Sequence, residues 1–328
     1  MNSKINWGII GLGKIARLFA SDLQLSENAI LHSVASRDIE KAAQFSMDYQ
    51  AVKHYGNYEE LARDPDIDIV YIATPHVFHY EQTMMCLKYG KPVLCEKPMG
   101  ISSGEVKRMI GEANYGKSFL MEALWTRFIP ATEKLIELLK NKVIGDIIFM
   151  RADFGFRADP NPGGRLFNKK LGGGALLDIG IYPVYLSLLA LGFPSDIKTM
   201  ARVSSPEVDS YISMLFDYEN SAKAILESTF EADTPTEAYI YGTNGVIKLH
   251  SRFHHSEKIS LYQNGELKEV FDIKHQGEGY IYEIEEVNQC LINQQTESSK
   301  LPHSLSLNLA MLLEQVKDKA GLSSSKNI

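Results

Sequence analysis

Cysteine is scarce: Cys86, Cys95 and Cys290 are the three in 328 residues, odd in number and far apart. That spacing excludes a disulfide framework and a thiolate metal site, and it suits a reducing cytoplasm. Basic residues are neither in excess nor clustered, since 34 Lys and Arg face 41 Asp and Glu for a formal net charge of −7. This balance argues against nucleic-acid and anionic-membrane partners, though not against local anion pockets. No apolar run reads as long enough to span a bilayer. Met1-Asn2-Ser3-Lys4 leads straight into a strand-like segment, without an export-type apolar block. Internal repeats and biased tracts are missing too. What remains is an ordinary globular composition, 45% hydrophobic and 23% charged. The chain is long enough for two cores rather than one, and the expectation is a soluble cytoplasmic protein.

The clearest motif lies at the front. Apolar residues 5–10 are followed by Gly11-Leu12-Gly13-Lys14-Ile15-Ala16, which opens a helical pattern through Leu23. Gly-x-Gly-x-x-Ala between a strand and a helix is a dinucleotide fingerprint. Gly11 permits the tight turn, Gly13 gives the pyrophosphate clearance, and Ala16 lets helix and strand pack closely, with Lys14 and Ile15 in the same cofactor loop. The second strand, 30–35, ends in Ser36-Arg37-Asp38. A hydroxyl and a guanidinium suited to a 2′-phosphate stand first, so NADP is favoured; the alternative is Asp38 on the ribose of NAD.

Strand and helix patterns then alternate to a strand at 118–123, which predicts an α/β doubly wound parallel sheet of the Rossmann type. Thr74, Pro75, His76 and His79 follow the strand at 67–73. Glu96-Lys97-Pro98 closes the strand at 92–95, and Pro98 can neither continue a ladder nor leave Lys97 helical. A single lysine is thus presented at the carboxyl edge, where open parallel sheets bind ligands. Thr74, Pro75, His76, His79, Glu96 and Lys97 are therefore read as cofactor-binding candidates, with a structural role the alternative for the two histidines.

The remainder reads as a helix at 131–141, a strand at 147–156 and a Gly/Pro/Arg-rich loop at 157–170 holding Gly163-Gly164-Arg165. After Gly172-Gly173-Gly174 comes a helix at 175–191 with Asp178 and Tyr182 four apart on one face. Pro183 predicts a kink or a new start there. From 197 to 271 the period becomes strand-like, with hairpin turns at 218–221 and 263–266. Two helices, 280–293 and 305–321, and a polar tail expected to fray complete the chain. The predicted division is a nucleotide domain, 1–123, and an α+β substrate and dimerisation domain, 124–328, with a large, mostly antiparallel open sheet. Such a sheet needs its second face buried, which predicts a homodimer through it, with a higher oligomer the alternative.

The fingerprint, Glu96-Lys97-Pro98 and Gly172-Gly173-Gly174-Ala175-Leu176-Leu177-Asp178-Ile179-Gly180-Ile181-Tyr182 occur in family-like order and spacing. Together they resemble the glucose–fructose oxidoreductase/inositol dehydrogenase family (Gfo/Idh/MocA). Met121-Glu122-Ala123-Leu124-Trp125-Thr126-Arg127-Phe128 and the phrase around Tyr182 are most similar to its dimeric dihydrodiol dehydrogenase and NADP-dependent D-xylose dehydrogenase branch. The resemblance implies that Gly11, Gly13 and Ala16 hold the dinucleotide and that Ser36-Arg37 selects NADP. It implies Lys97 as the catalytic lysine, Tyr182 as the catalytic acid/base and Asp178 as its acidic partner. Trp125, Arg127, Phe154 and Phe156 fall in regions that line the branch's substrate pocket, with core packing the alternative. Many inositol-dehydrogenase-type members carry His where Tyr182 stands, a departure that fits the dihydrodiol/xylose branch.

Oxidising a carbinol needs a base for its proton and an acceptor for its hydride. Free tyrosine, with a pKa of about 10, is a poor base at neutral pH unless an ammonium favours tyrosinate. This assigns proton transfer to Tyr182 with Lys97 as electrostatic partner; the alternative gives the transfer to Lys97. No metal is required. The expected activity is NAD(P)-dependent hydride transfer at an aldose C1 or a trans-dihydrodiol. The rival readings are a nucleotide-binding sensor without turnover and a reductase of a non-sugar carbonyl or imine.

Overall fold

The apolar run at the front folds as β1 (Ile5–Ile10), and the glycine loop after it opens α1 (Lys14–Leu23). A computed structural model describes residues 4–159, 161, 163–204 and 208–322. The first three residues of the expected strand entry and the end of the expected frayed tail lie outside the described residues. The alternation continues through β2 (Ala29–Ala35), α2 (Ile39–Tyr49), β3 (Lys53–Tyr55), α3 (Tyr58–Arg63) and β4 (Ile69–Ile72). It ends with α4 (His79–Lys88), β5 (Val93–Glu96), α5 (Ser103–Gly116) and β6 (Leu120–Ala123). The six strands pair in parallel in the order β3-β2-β1-β4-β5-β6. The chain leaves β1 in both directions, so the β1/β4 carboxyl ends form the switch point where such sheets bind ligands. Every residue of β4, β5 and β6 is buried, which is why these strands read as continuous apolar runs.

The chain divides into two compact units, 1–128 with 275–307, and 129–274 with 308–328. This corrects the contiguous division at 123/124, and buried polar groups supply the reason. The Asp22 carboxylate, on α1, accepts the amides of Glu278, Tyr280 and Ile281 at 2.7–3.2 Å, at the start of α8 (Ile281–Ile292). Trp7 Nε1 donates to Asn288 Oδ1 at 3.0 Å. β6 is an edge strand, and its Leu120 amide donates to the Thr296 carbonyl at 3.1 Å. The Leu120 carbonyl meets His303 Nε2 at 2.9 Å, in the first turn of α9 (His303–Lys319). A distant segment thus closes the edge and satisfies groups that the first 128 residues leave open.

The second unit is built on an eight-stranded sheet. Its strands are β7 (Ile147–Gly155), β8 (Asp196–Ser204), β9 (Val208–Asp217), β10 (Lys223–Thr229), β11 (Ala238–Gly242), β12 (Gly245–Leu249), β13 (Lys258–Gln263) and β14 (Glu266–Asp272). The order is β14-β13-β12-β11-β7-β10-β9-β8, antiparallel throughout except for the parallel β7/β10 pair. The expected hairpin at 263–266 has Asn264 and Gly265 both at positive φ, as a two-residue hairpin turn requires. Two adjacent rows show the alternation. Thr199, Met214, Leu226, Ala152, Ala238, Leu249, Ile259 and Phe271 are opposed strand to strand on the face covered by α6 (Pro130–Lys140) and α7 (Ile181–Leu191). The next row, Lys198, Leu215, Ile225, Arg151, Tyr239, Lys248, Ser260 and Val270, faces the other way and mixes cations with apolar side chains.

Near Pro183 the helical run at 175–191 changes its bonding pattern, and its α-helical part begins at Ile181. A π-helical turn, Leu176–Gly180, runs directly into α7, and such turns re-space the backbone bonding that a proline interrupts. An 18-residue window within residues 169–191 has a mean hydropathy of 1.7, long and apolar enough to cross a membrane by length and composition. That corrects the sequence expectation, but 83% of that window is buried within the protein, as in a core helix. All three thiols are free and buried.

Candidate functional site

Candidate residues occur in both units. In the nucleotide unit, Gly11 has φ +87°, and a Cβ there would come within 2.9 Å of the Ala73 carbonyl, so only glycine fits the turn. A Cβ on Gly13 would meet nothing within 4 Å, which leaves open space over the start of α1. Asp38, Asn57 and Ser102 cap α2, α3 and α5 with their side chains, whereas α1 has neither a side-chain cap nor an acidic residue in its first turn. An anion is the partner those amides are built for, so Gly11, Gly13, Lys14, Ile15 and Ala16 fit a dinucleotide pyrophosphate. At the end of β2 the Asp38 carboxylate accepts the amides of Glu40 and Lys41 at 3.0 and 3.2 Å. It is committed to the helix start, while Arg37 beside it is exposed.

The exits of β4 and β5 are tied together. His79 is fully buried, with Nδ1 2.8 Å from the Pro98 carbonyl and Nε2 2.8 Å from the Thr74 carbonyl. The structure therefore gives His79 the task of joining the Thr74-Pro75-His76 turn to the Lys97-Pro98 turn, and both ring nitrogens are used in doing so. His76 packs edge-on against it at 5.7 Å. The Lys97-Pro98 bond is cis. Tyr71 donates its hydroxyl to Glu96 Oε1 at 2.5 Å, and the Lys97 amide donates to Glu96 Oε2 at 3.0 Å. Glu122 Oε1 accepts the Met99 amide at 2.9 Å, and burial pushes the Glu122 carboxyl up to about 7. Lys97 is half-buried between these anchored neighbours. Trp125 stacks on Tyr280 at 4.7 Å, and Arg127 Nε donates to the Lys300 carbonyl at 2.9 Å. Both are buried in the nucleotide unit.

In the sheet unit the helical run 175–191 and β7 bring Tyr182 and Phe154 together, ring centroids 5.7 Å apart. His254, from the short turn Phe253–His255, stacks on Phe154 at 4.4 Å and lies 4.8 Å from the Tyr182 ring. His255 stacks on His254 at 4.6 Å. Asp178 is buried, and Arg165 Nη1 donates to its Oδ1 at 2.8 Å, with the guanidinium side chain 43% exposed. Phe156 turns instead toward Phe230, at 5.3 Å, and packs against a cluster of Phe167, Ala175, Ile179, Val208 and Phe230. His254 and the Arg165–Asp178 pair escaped the sequence reading. Neither the loop at 157–170 nor the connection after β12 carries a spacing that predicts such contacts.

Two family models match parts of the chain: an oxidoreductase family with an NAD-binding Rossmann fold over residues 5–123, and a GFO/IDH/MocA C-terminal domain over residues 132–248. The trans-1,2-dihydrobenzene-1,2-diol dehydrogenase of Xenopus laevis is 38% identical, over 96% of this chain and 98% of its own. The enzyme of that name from Homo sapiens is 35% identical over 97% of both chains. The chain belongs to the GFO/IDH/MocA oxidoreductase family. Two solved structures share the fold of this family member. An aldose-aldose oxidoreductase from Caulobacter crescentus has a TM-score of 0.88 at 22% identity, covering 98% of both chains. A 3-ketoreductase from Actinomadura kijaniata has a TM-score of 0.87 at 24% identity, covering 97% of this chain and 98% of its own. The Rossmann unit is thus the nicotinamide-dinucleotide domain of an oxidoreductase. Among the described residues no cluster of His, Cys, Asp or Glu is suited to a metal ion.

Proposed function

We propose that this chain is an NADP-preferring dehydrogenase that oxidises a ring carbinol, either of a trans-dihydrodiol or of an aldose at C1. The observation that carries the reading is the arrangement of the sheet unit: a buried Tyr182 against Phe154 and His254, on the same helical run as an Asp178 held by Arg165. A tyrosine hydroxyl bordered by flat rings suits a cyclic substrate, and the imidazoles suit one bearing several hydroxyls. The curated relatives support the diol arm of the proposal. Preference for NADP is supported by Asp38 being committed to the start of α2 while Arg37 stands exposed.

Gly11, Gly13 and the start of α1 would hold the pyrophosphate, Ser36 and Arg37 the 2′-phosphate, and the Thr74–His76 and Glu96–Lys97 turns the nicotinamide end. The nicotinamide supplies the hydride acceptor when bound. Tyr182 takes the carbinol proton and Asp178 binds a neighbouring substrate hydroxyl, and Lys97, on the turn assigned to the nicotinamide end, is the further residue the reading makes catalytic. Trp125, Arg127 and Phe156 act chiefly through the packing described above. The mixed outer row of the eight-stranded sheet supports a homodimer through that face.

Initial rates with NADP and NAD against a trans-dihydrodiol, D-xylose and D-glucose test this reading. Lys97→Ala and Tyr182→Phe should each lower kcat by at least about 100-fold, the scale of lost acid–base and electrostatic help. Arg37→Ala should raise the KM for NADP roughly 10- to 100-fold, as expected for a lost charge-assisted contact, and leave that for NAD nearly unchanged. Equal losses with both cofactors would remove Arg37 from the cofactor assignment. Wild-type-like rates in either catalytic variant would sink the mechanism.

A further inference from the structure

Asp209, on β9, is 7% exposed and plays no part in the chemistry above. Its Oδ2 accepts the Leu176 amide at 2.6 Å, and the Ala175 amide is a further donor to the carboxyl. Its Oδ1 lies so close to Gly174 that a Cβ there would approach to 2.3 Å. Leu176 opens the π-turn that contains Asp178 and precedes Tyr182. The start of this helical run has no cap of its own, because Gly172, Gly173 and Gly174 have no side chains to supply one. Gly174 sits at φ +122°, a conformation open to glycine, and the missing Cβ is what lets the carboxyl reach the amides. Val208, next to Asp209, packs in one cluster with Ala175 and Ile179, so the strand grips the same turn through apolar contacts as well.

We infer that Asp209 is a positioning residue: anchored in the sheet, its carboxyl caps the helical run at 175–191 and fixes the rotation at which Asp178 and Tyr182 are presented. The inference rests on the proposed roles of those two side chains. A helix advances about 100° per residue, so a first turn whose amides lose their acceptor is free to wind differently and carry both functional groups off line. Misplacement of about 1 Å is enough to cost a reaction roughly 100-fold. Burial pushes the Asp209 carboxyl up to about 7 despite the amides of Leu176, Ala175 and Asp209 itself and Lys317 on α9. A group kept under that penalty is held by its geometry.

The test is a mutant cycle on the full-length protein, using NADP and whichever of D-xylose or trans-1,2-dihydrobenzene-1,2-diol turns over. Asp209→Asn keeps size and shape and should lower kcat about 10- to 100-fold, with the KM for NADP within about twofold of wild type. In a background carrying both Tyr182→Phe and Asp178→Asn the same substitution should change the residual rate by less than about threefold, because a group that acts by placing those two side chains has nothing left to place. Equal fold-losses in both backgrounds, or an unchanged kcat in the single variant, would overturn the inference and leave the Tyr182 reading intact. A wild-type rate in Tyr182→Phe alone would overturn both. Should Asp209→Asn not fold by near-ultraviolet circular dichroism, Gly174→Ala disturbs the same contact from the helix side and is read in the same cycle.

Discussion

Glu283 is fully buried, and neither of its carboxyl oxygens has a hydrogen-bond partner among the described residues. Burial, with Glu96 and Asp22 nearby, pushes its carboxyl well above the ordinary value of 4.5. The folded protein therefore holds this proton more tightly than the unfolded chain does. With the native state binding more protons, stability falls as pH rises above the unfolded value, by up to about 1.4 kcal/mol per pH unit for one group. Glu283→Gln removes that proton equilibrium. Its stability relative to wild type should improve as pH rises above the ordinary carboxyl value, read from urea unfolding at each pH. A constant difference across that range would mean that Glu283 is already ionised in the fold. His79 makes the complementary point about what a residue type can disclose. Its place beyond a strand end marked it for the ligand edge, but only the carbonyls of Thr74 and Pro98 on its two nitrogens reveal a tie between two turns.

Among the elements, α8 depends on a residue far from it in sequence. Asp22 accepts three amides at the start of that helix, and a Cβ on Gly277 would come within 2.2 Å of its Oδ1. Asp22→Ala should cost roughly 3 kcal/mol, because buried donors lose a charged acceptor, whereas Asp38→Ala, an exposed cap, should cost about 1 kcal/mol. Amide exchange at residues 278–281 should accelerate in the first variant and stay unchanged in the second. Equal costs would show that packing, rather than the carboxylate, holds α8 in place. The neighbours of Asp22 at 278–281 are too distant in the chain for any local pattern to expose the pairing.

For the whole molecule, the outer row of the large sheet frames the proposed homodimer. Ile225 is 52% exposed and Met200 67% exposed, Phe149 stacks on Tyr241 at 4.2 Å, and the Arg151 guanidinium lies 4.6 Å from the Tyr239 ring. Light scattering should give twice the 36.8 kDa chain mass. Ile225→Asp, which places a charge in the middle of that face, should give the single-chain mass with nicotinamide binding retained. A wild-type protein that is monomeric at micromolar concentration would remove this face from the assembly.

The sequence by itself determined the parallel nucleotide sheet, the glycine turn, the Lys97 edge and the run of antiparallel strands, because each is written in local periodicity and in residues with restricted backbone freedom. It also placed Asp178 and Tyr182 on one helix, since a spacing of four is a local property. Tertiary structure alone decided that residues 275–307 return to the first unit, that a π-turn runs into the α-helix holding Pro183, and that His254 meets Tyr182 and Phe154. It alone set Arg165 on Asp178 and Asp209 on the helix start. These are pairings between groups distant in sequence, fixed by the need to satisfy buried amides and carboxylates once the sheets have formed, and no local pattern encodes them.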